Sequence, residues 1–277
     1  MQSVSSLFRF RCIFAFFCAC SFAAPAHAKS TEADLKVRLL GQPLYLRGLW
    51  AEDNLHFDSG GKLVDNSNLV SFTLSGIEIE KVQLKQDRLQ LVGRRIGLEL
   101  TGSTPKRAPL LVGTLFPRKE EVHLEISAPP SGDYSAALDV VFAQNIADLV
   151  PAIPSWWQPY VHKYLIADGI PYDTLPSLTT DRPLRVGGSV RPPTLLANKE
   201  ADFNQYAKLM KYQGIVLIRL VVDKEGKASH LAVERGLGLG LDERAIAAVR
   251  DYLFNPATQH GKPVPVEIVM EVKFQIY

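Results

Sequence analysis

The glycine run Arg235-Gly236-Leu237-Gly238-Leu239-Gly240-Leu241-Asp242 enters a predicted helix, a setting that could cradle a dinucleotide pyrophosphate. Its spacing is G-x-G-x-G instead of G-x-G-x-x-G, and a hairpin precedes it where that site needs a parallel strand. A flexible turn is the better reading. Ser59-x-x-Lys62 and Ser103-x-x-Lys106 carry the spacing of serine acyl-enzymes. Such enzymes place the serine at a buried helix start and add partner strings such as K-T-G. Both sites lie in turn sequence, and neither K-T-G nor G-x-S-x-G occurs. Beyond the first 28 residues stand His56, His123, His162, His230 and His260, none paired at metal-ligand spacing. Glu78 with Glu80, and Glu121 with His123 and Glu125, share strand faces at i, i+2 and read as solvated faces. Trp156-Trp157 with Tyr160 and Tyr164 could hold a sugar or a membrane interface, but packing against the preceding β-domain is favoured. The expectation is a non-enzyme with no catalytic residue, no cofactor and no metal.

Charge narrows the partners. The chain of 277 residues has a formal charge of +2, from 31 basic and 29 acidic residues. The excess lies in Arg9 and Arg11, and without them 29 basic residues balance 29 acidic ones. A neutral body exerts no global pull on nucleic acid, so no nucleic-acid partner is expected. Those arginines precede the apolar run Cys12–Ala24 and the small-x-small string Ala26-His27-Ala28. This predicts a secretory signal over residues 1–28, and hence a periplasmic location. The apolar run is too short for a spanning helix, which needs roughly 20 residues. Membrane attachment is expected only if that segment is retained. All three cysteines, Cys12, Cys18 and Cys20, fall within it, so the exported body would hold no thiol.

The remainder predicts an α+β fold in two domains. Residues 29–165 form a β-rich antiparallel N-terminal domain with two helices at its end. Its short runs include Leu35–Leu40, Leu44–Leu49, Ser71–Leu74, Gly76–Leu84, Arg88–Val92, Ile96–Leu100, Leu110–Phe116 and Val122–Ile126. Helices are predicted over Tyr134–Leu149 and Pro154–Leu165. Residues 166–191 collect prolines and glycines and read as a linker.

Residues 192–277 form a second, small domain. Glu200–Lys211 predicts a helix, Ile215–Asp223 a strand, and Asp223-Lys224-Glu225-Gly226-Lys227 a hairpin turn into Ala228–Arg235. Asp242 opens another helix as its N-cap or first-turn acid. Val266, Ile268, Met270, Val272, Phe274 and Ile276 then alternate with polar residues, the pattern of a half-exposed antiparallel strand.

This order resembles the C-terminal domain of the TonB family. The match is carried by Pro192-Pro193, Gly214-x-Val216, Asp223-x-x-Gly226, Val233, Leu241-Asp242 with Ala245 and Ala248, Phe254-x-Pro256 and Gly261-x-Pro263-Val264. The resemblance implies a protein-binding module. It docks a partner segment, from an outer-membrane transporter or another envelope protein, as an added strand beside its last one. By position that implicates Pro265, Glu267, Val269, Glu271, Lys273, Gln275 and Tyr277 as partner-binding residues, and it admits a homodimer through the same strand. The alternative is a carrier of an apolar or sugar envelope ligand, with this module only docking. Members that transduce energy have a membrane helix and a long proline-rich span. Here a signal and a folded domain are expected in their place.

Overall fold

A computed structural model describes residues 29–67, 69–101, 104–167 and 182–276. The predicted signal therefore lies outside the described residues, as do Ser103, Tyr277 and most of the linker. Among the described residues no helix is long and apolar enough to cross a membrane.

The N-terminal part opens with helix α1 (Glu32–Leu39), where sequence alternation predicts a strand. Local capping decides it: Thr31 and Asp34 form a reciprocal box, and Glu32 pairs with Lys36 one turn on at 2.6 Å. Strands β1 (Leu44–Leu46), β2 (Asn54–Phe57), β3 (Gly76–Leu84), β4 (Arg88–Glu99) and β5 (Lys106–Pro109) follow. Then come a small hairpin, β6 (Leu111–Val112) with β7 (Arg118–Lys119), and β8 (Glu121–Ser127). One sheet runs in the order β2-β8-β4-β3-β1, completed by β9 (Phe142–Ala143), with β5 also on β4. All its pairs are antiparallel except β2 with β8.

The predicted helix Tyr134–Leu149 is shorter in the structure. Helix α2 (Ser135–Val141) stops where β9 pairs with β1, and a 3₁₀ segment, Ala147–Ala152, follows. A one-turn helix α3 (Gln158–Tyr160) continues as a π-helical turn over Val161–Leu165.

The C-terminal part contains β10 (Leu184–Arg185), β11 (Val190–Arg191), β12 (Thr194–Ala197), α4 (Gln205–Leu209), β13 (Gly214–Val222) and β14 (Ala228–Arg235). Helix α5 (Leu241–Arg250), β15 (Leu253–Asn255), β16 (Thr258–Gln259), β17 (Lys262–Pro263) and β18 (Val266–Phe274) complete it. Its main sheet has the order β10-β18-β13-β14, with β10 supplied by the last part of the predicted linker. Gly226 turns the β13–β14 hairpin at φ +79°, as the turn sequence predicts.

The N-terminal sheet keeps a cluster of its own, with Leu46, Phe57, Ile77, Leu124 and Val141, and a second, larger cluster is shared by the two parts. Tyr45, Phe72, Leu98 and Leu100 from the first pack in the same cluster as Val216, Ile218, Leu237 and Val249 from the second. Trp157 lies inside this joint, wholly buried, with its ring 5.4 Å from Phe72 and 5.4 Å from Tyr160. The glycine run is part of the seam. Leu100 N–H donates to the Leu237 carbonyl (3.0 Å), Leu239 N–H to Leu98 (2.9 Å), and Gly240 N–H to Thr73 Oγ1 (2.8 Å). What sequence predicts as a flexible turn is thus tied along its length to the other part. A second link runs from Tyr206, whose hydroxyl donates to Glu120 (2.8 Å) beside the buried Arg95.

Asp242 locks the run from the helix side. Its two oxygens accept from the amides of Leu237 (2.8 Å) and Gly238 (2.7 Å). Burial, with neighbouring Glu243 as the second cause, pushes its carboxyl up to about 8. Between the ordinary 3.8 and about 8 the folded protein holds a proton that the unfolded chain has released. Stability therefore falls as pH rises through that window, by at most about 1.4 kcal/mol per pH unit for one proton. In urea titrations at about pH 5 and about pH 8, Asp242→Asn starts less stable because it keeps one acceptor for two amides, and its decline is shallower. Equal slopes for both proteins would refute the assignment.

Candidate functional site

The C-terminal sheet has two outer strands to examine, and they differ in how they are closed. The flank of β14 is met by the segment before α3, where Val233 N–H donates to the Trp156 carbonyl (2.9 Å). The bulk of Trp157 anchors that segment, so the N-terminal part covers this edge at Val233. Strand β18 pairs with β13 over its full length, from Val222↔Val266 to Gly214↔Phe274. On its other flank β10 runs parallel for two residues only, Leu184↔Val266 and Arg185↔Glu267. From Ile268 onward that flank carries no strand among the described residues.

Strand geometry says which residues face the opening. Backbone groups of successive residues point to opposite flanks. The Pro265 carbonyl accepts from Leu184 N–H (2.9 Å), on the β10 side. By parity Glu267, Val269, Glu271 and Lys273 present their N–H and C=O groups to that same flank, and their even-numbered neighbours serve β13. Side chains show the complementary alternation. Val266, Val272 and Phe274 are buried, whereas Val269 is 55% exposed and Glu271 and Lys273 are exposed.

The structure thus places the seven sequence-predicted residues unequally. Pro265 and Glu267 lie where β10 already runs. Glu267 is further engaged by Arg219, 3.3 Å away, which also holds Glu234 at 2.6 Å. Partial burial works against the charge on Arg219, but these bonds outweigh it and raise its pKa above the ordinary value. Val269, Glu271 and Lys273 lie together on the open stretch, with exposed Gln275 just beyond it. Tyr277 lies outside the described residues. Sequence reasoning missed Leu184 and Arg185, which set where the opening begins, and Gln213, whose Oε1 accepts the Ile276 amide (3.3 Å). A two-residue strand offers no periodicity that could reveal it.

Several of the residues weighed for chemistry have close polar partners. Gly60 and Lys62 donate their backbone amides to Asp58 in the turn that contains Ser59. His56 sits 2.8 Å from Asp65, Glu80 is bonded by Arg94, and Glu125 by Arg88 (2.6 Å) and Gln90 (3.0 Å). Among the described residues no cluster of histidine and carboxylate could hold a metal ion. A half-open cavity of about 890 Å³ lies at the joint, lined among others by Tyr160, Tyr164, Leu100, Ile215 and Arg235.

A helix-backed, mainly antiparallel sheet with one flank of β18 open from Ile268 onward defines a small α+β domain. Comparison with known families agrees with this class. Residues 199–276 match the family model described as Gram-negative bacterial TonB protein C-terminal, so the C-terminal domain is of the TonB C-terminal type that its sequence resembles. Domains of that family act in the Gram-negative envelope, in interactions with outer-membrane transporters. No curated protein matches the chain.

Proposed function

We propose that this chain is an exported periplasmic docking protein, which captures an extended segment of an outer-membrane transporter or another envelope protein by strand addition. The observation that carries the reading is the open flank of β18 from Ile268 onward, beside a two-residue β10. Val269, Glu271, Lys273 and, beyond them, Gln275 offer the guest its rungs. Four or five backbone bonds at a net of about 1 kcal/mol each meet ordering costs of about 2–5 kcal/mol. Pairing alone is weak and reversible, and Val269 and the adjoining side chains must contribute to any tight complex. A homodimer through the same flank would compete with the guest. A second reading, a carrier of an apolar envelope ligand, is favoured by the cavity at the joint.

Parity makes the test sharp. The Val269 amide points away from β13, so Val269→Pro deletes a rung of the open flank and leaves the β13 ladder intact. Met270→Pro breaks that ladder and serves as the destabilised control. In pull-downs of full-length protein from envelope extract, Val269→Pro is expected to lose an outer-membrane transporter, identified by mass spectrometry, by tenfold or more on the order of magnitude set by one or two lost bonds. Val269→Thr keeps it. Equal recovery with Val269→Pro would move the docking surface elsewhere.

A further inference from the structure

The β6–β7 hairpin presents the two most exposed large apolar side chains of the described residues, Leu115 at 86% and Phe116 at 88%. Residues 113–117 join Val112 to its partner Arg118, and residues 113–119 are all exposed. Gly113 sits at φ +87°, and a Cβ there would come within 3.0 Å of the Phe116 carbonyl oxygen. The tight turn therefore holds Phe116 at the tip. Neither apolar side chain joins the hydrophobic clusters beneath. Behind the tip stand exposed Arg118 and Lys119, while the next residue, Glu120, turns inward to Tyr206 and Arg95. Helix α4, packed against β6, adds exposed Lys208 and, beyond its end, Lys211.

We propose that this hairpin is an anchor for an anionic lipid surface. Leu115 and Phe116 enter the boundary between headgroups and acyl chains, and Arg118 and Lys119 meet the lipid phosphates. The tip is convex and bears a basic collar, so its shape and charge suit a fluid anionic bilayer. A protein partner would need a preformed groove for two adjacent protruding side chains. Together with the open β18 edge, such an anchor would hold the docking domain beside a membrane without a spanning helix.

The test uses full-length protein and variants that share one N-terminus, so that the apolar segment near residue 12 contributes equally. Co-sedimentation is measured with vesicles of phosphatidylethanolamine and phosphatidylglycerol, and with phosphatidylcholine alone. Leu115→Ser with Phe116→Ser is expected to weaken binding by about tenfold or more, as for the loss of two partly inserted side chains. Arg118→Glu with Lys119→Glu is expected to weaken binding to the anionic vesicles only. Phe116→Trp reports depth directly, with quenching by brominated lipid above that of the parent protein. Circular dichroism checks that these exposed changes leave the fold intact. No binding of the parent to anionic vesicles, parent-like binding by the double serine variant, or an unquenched Trp at position 116 would each overturn the proposal. Tip-dependent capture of a protein with no vesicle binding would assign the hairpin to a protein contact instead.

Discussion

Replacing Trp157 by alanine is expected to lower the stability of the whole chain by about 3–5 kcal/mol, the cost of emptying a large buried aromatic site. The side chain is wholly buried and belongs to the larger of the two clusters that take residues from both parts. It lies against Phe72 and Tyr160 edge-on and stacks with Trp156 at 5.6 Å. A Cβ added to Gly236 would come within 3.0 Å of its indole, so the glycine run is fitted around the ring. The surroundings therefore cannot collapse without moving the seam. Because this cluster is built from both parts, their stabilities are coupled and both are expected to unfold in one transition. Urea titration followed by far-ultraviolet circular dichroism gives the size of the effect. Hydrogen exchange at Leu124 in β8 and at Ile218 in β13 tells whether the parts move together. Equal loss of protection at both amides supports one unit. Loss confined to Ile218 would mean that the β-rich part stands alone. Trp157→Phe keeps part of the ring packing and should cost less than half as much.

This coupling also explains which features were legible in the sequence. The β13–β14 hairpin and β18 were readable because their information is local: β-branched runs, Gly226 at the turn, and an unbroken alternation from Val266 to Phe274. The odd-numbered residues of β18 are named as partner-binding through the family resemblance, and the alternation supplies only which face they share. Helix α1 departs from the sequence pattern because Leu35, Val37 and Leu39 alternate like a strand, although the Thr31–Asp34 box beside them is a helix-start signal. The early stop of α2 depends on Phe142 and Ala143 being claimed by β1, a partner nearly a hundred residues away. No local pattern contains that. The position of Trp157 shows the same limit in the core. Aromatic composition predicts burial against the β-rich part, but the cluster around the ring also draws on residues far later in the chain, and Gly236 lies against the indole itself. At the candidate site, the family resemblance points to the last strand, Val269, Glu271 and Lys273 among its residues. The point where β10 stops covering them could not be read from sequence, because it depends on where the linker returns to the sheet.

Gly238→Ala is the harshest small change the joint can suffer. Gly238 has φ +94°, a conformation that costs any L side chain, and a Cβ there would lie 2.0 Å from the carbonyl oxygen of Leu98. That oxygen accepts the amide of Leu239, and Gly238 itself forms a bridge with Glu99. The obstacle is backbone, which cannot rotate aside as a side chain would. The run must lift from the end of β4, and in doing so it strains the Asp242 bond to the Gly238 amide. Strain, lost seam bonds and exposed core together are expected to reach about 3 kcal/mol or more. Gly261→Ala is the matched control. It shares a positive φ, +79°, but an added Cβ meets nothing within 4 Å, so only the conformational cost of about 1 kcal/mol remains. Thermal or urea unfolding of the two variants separates close backbone approach from torsional preference. Similar losses for both would show that the run needs only the φ angle, and that its contact with Leu98 contributes little to joining the two parts.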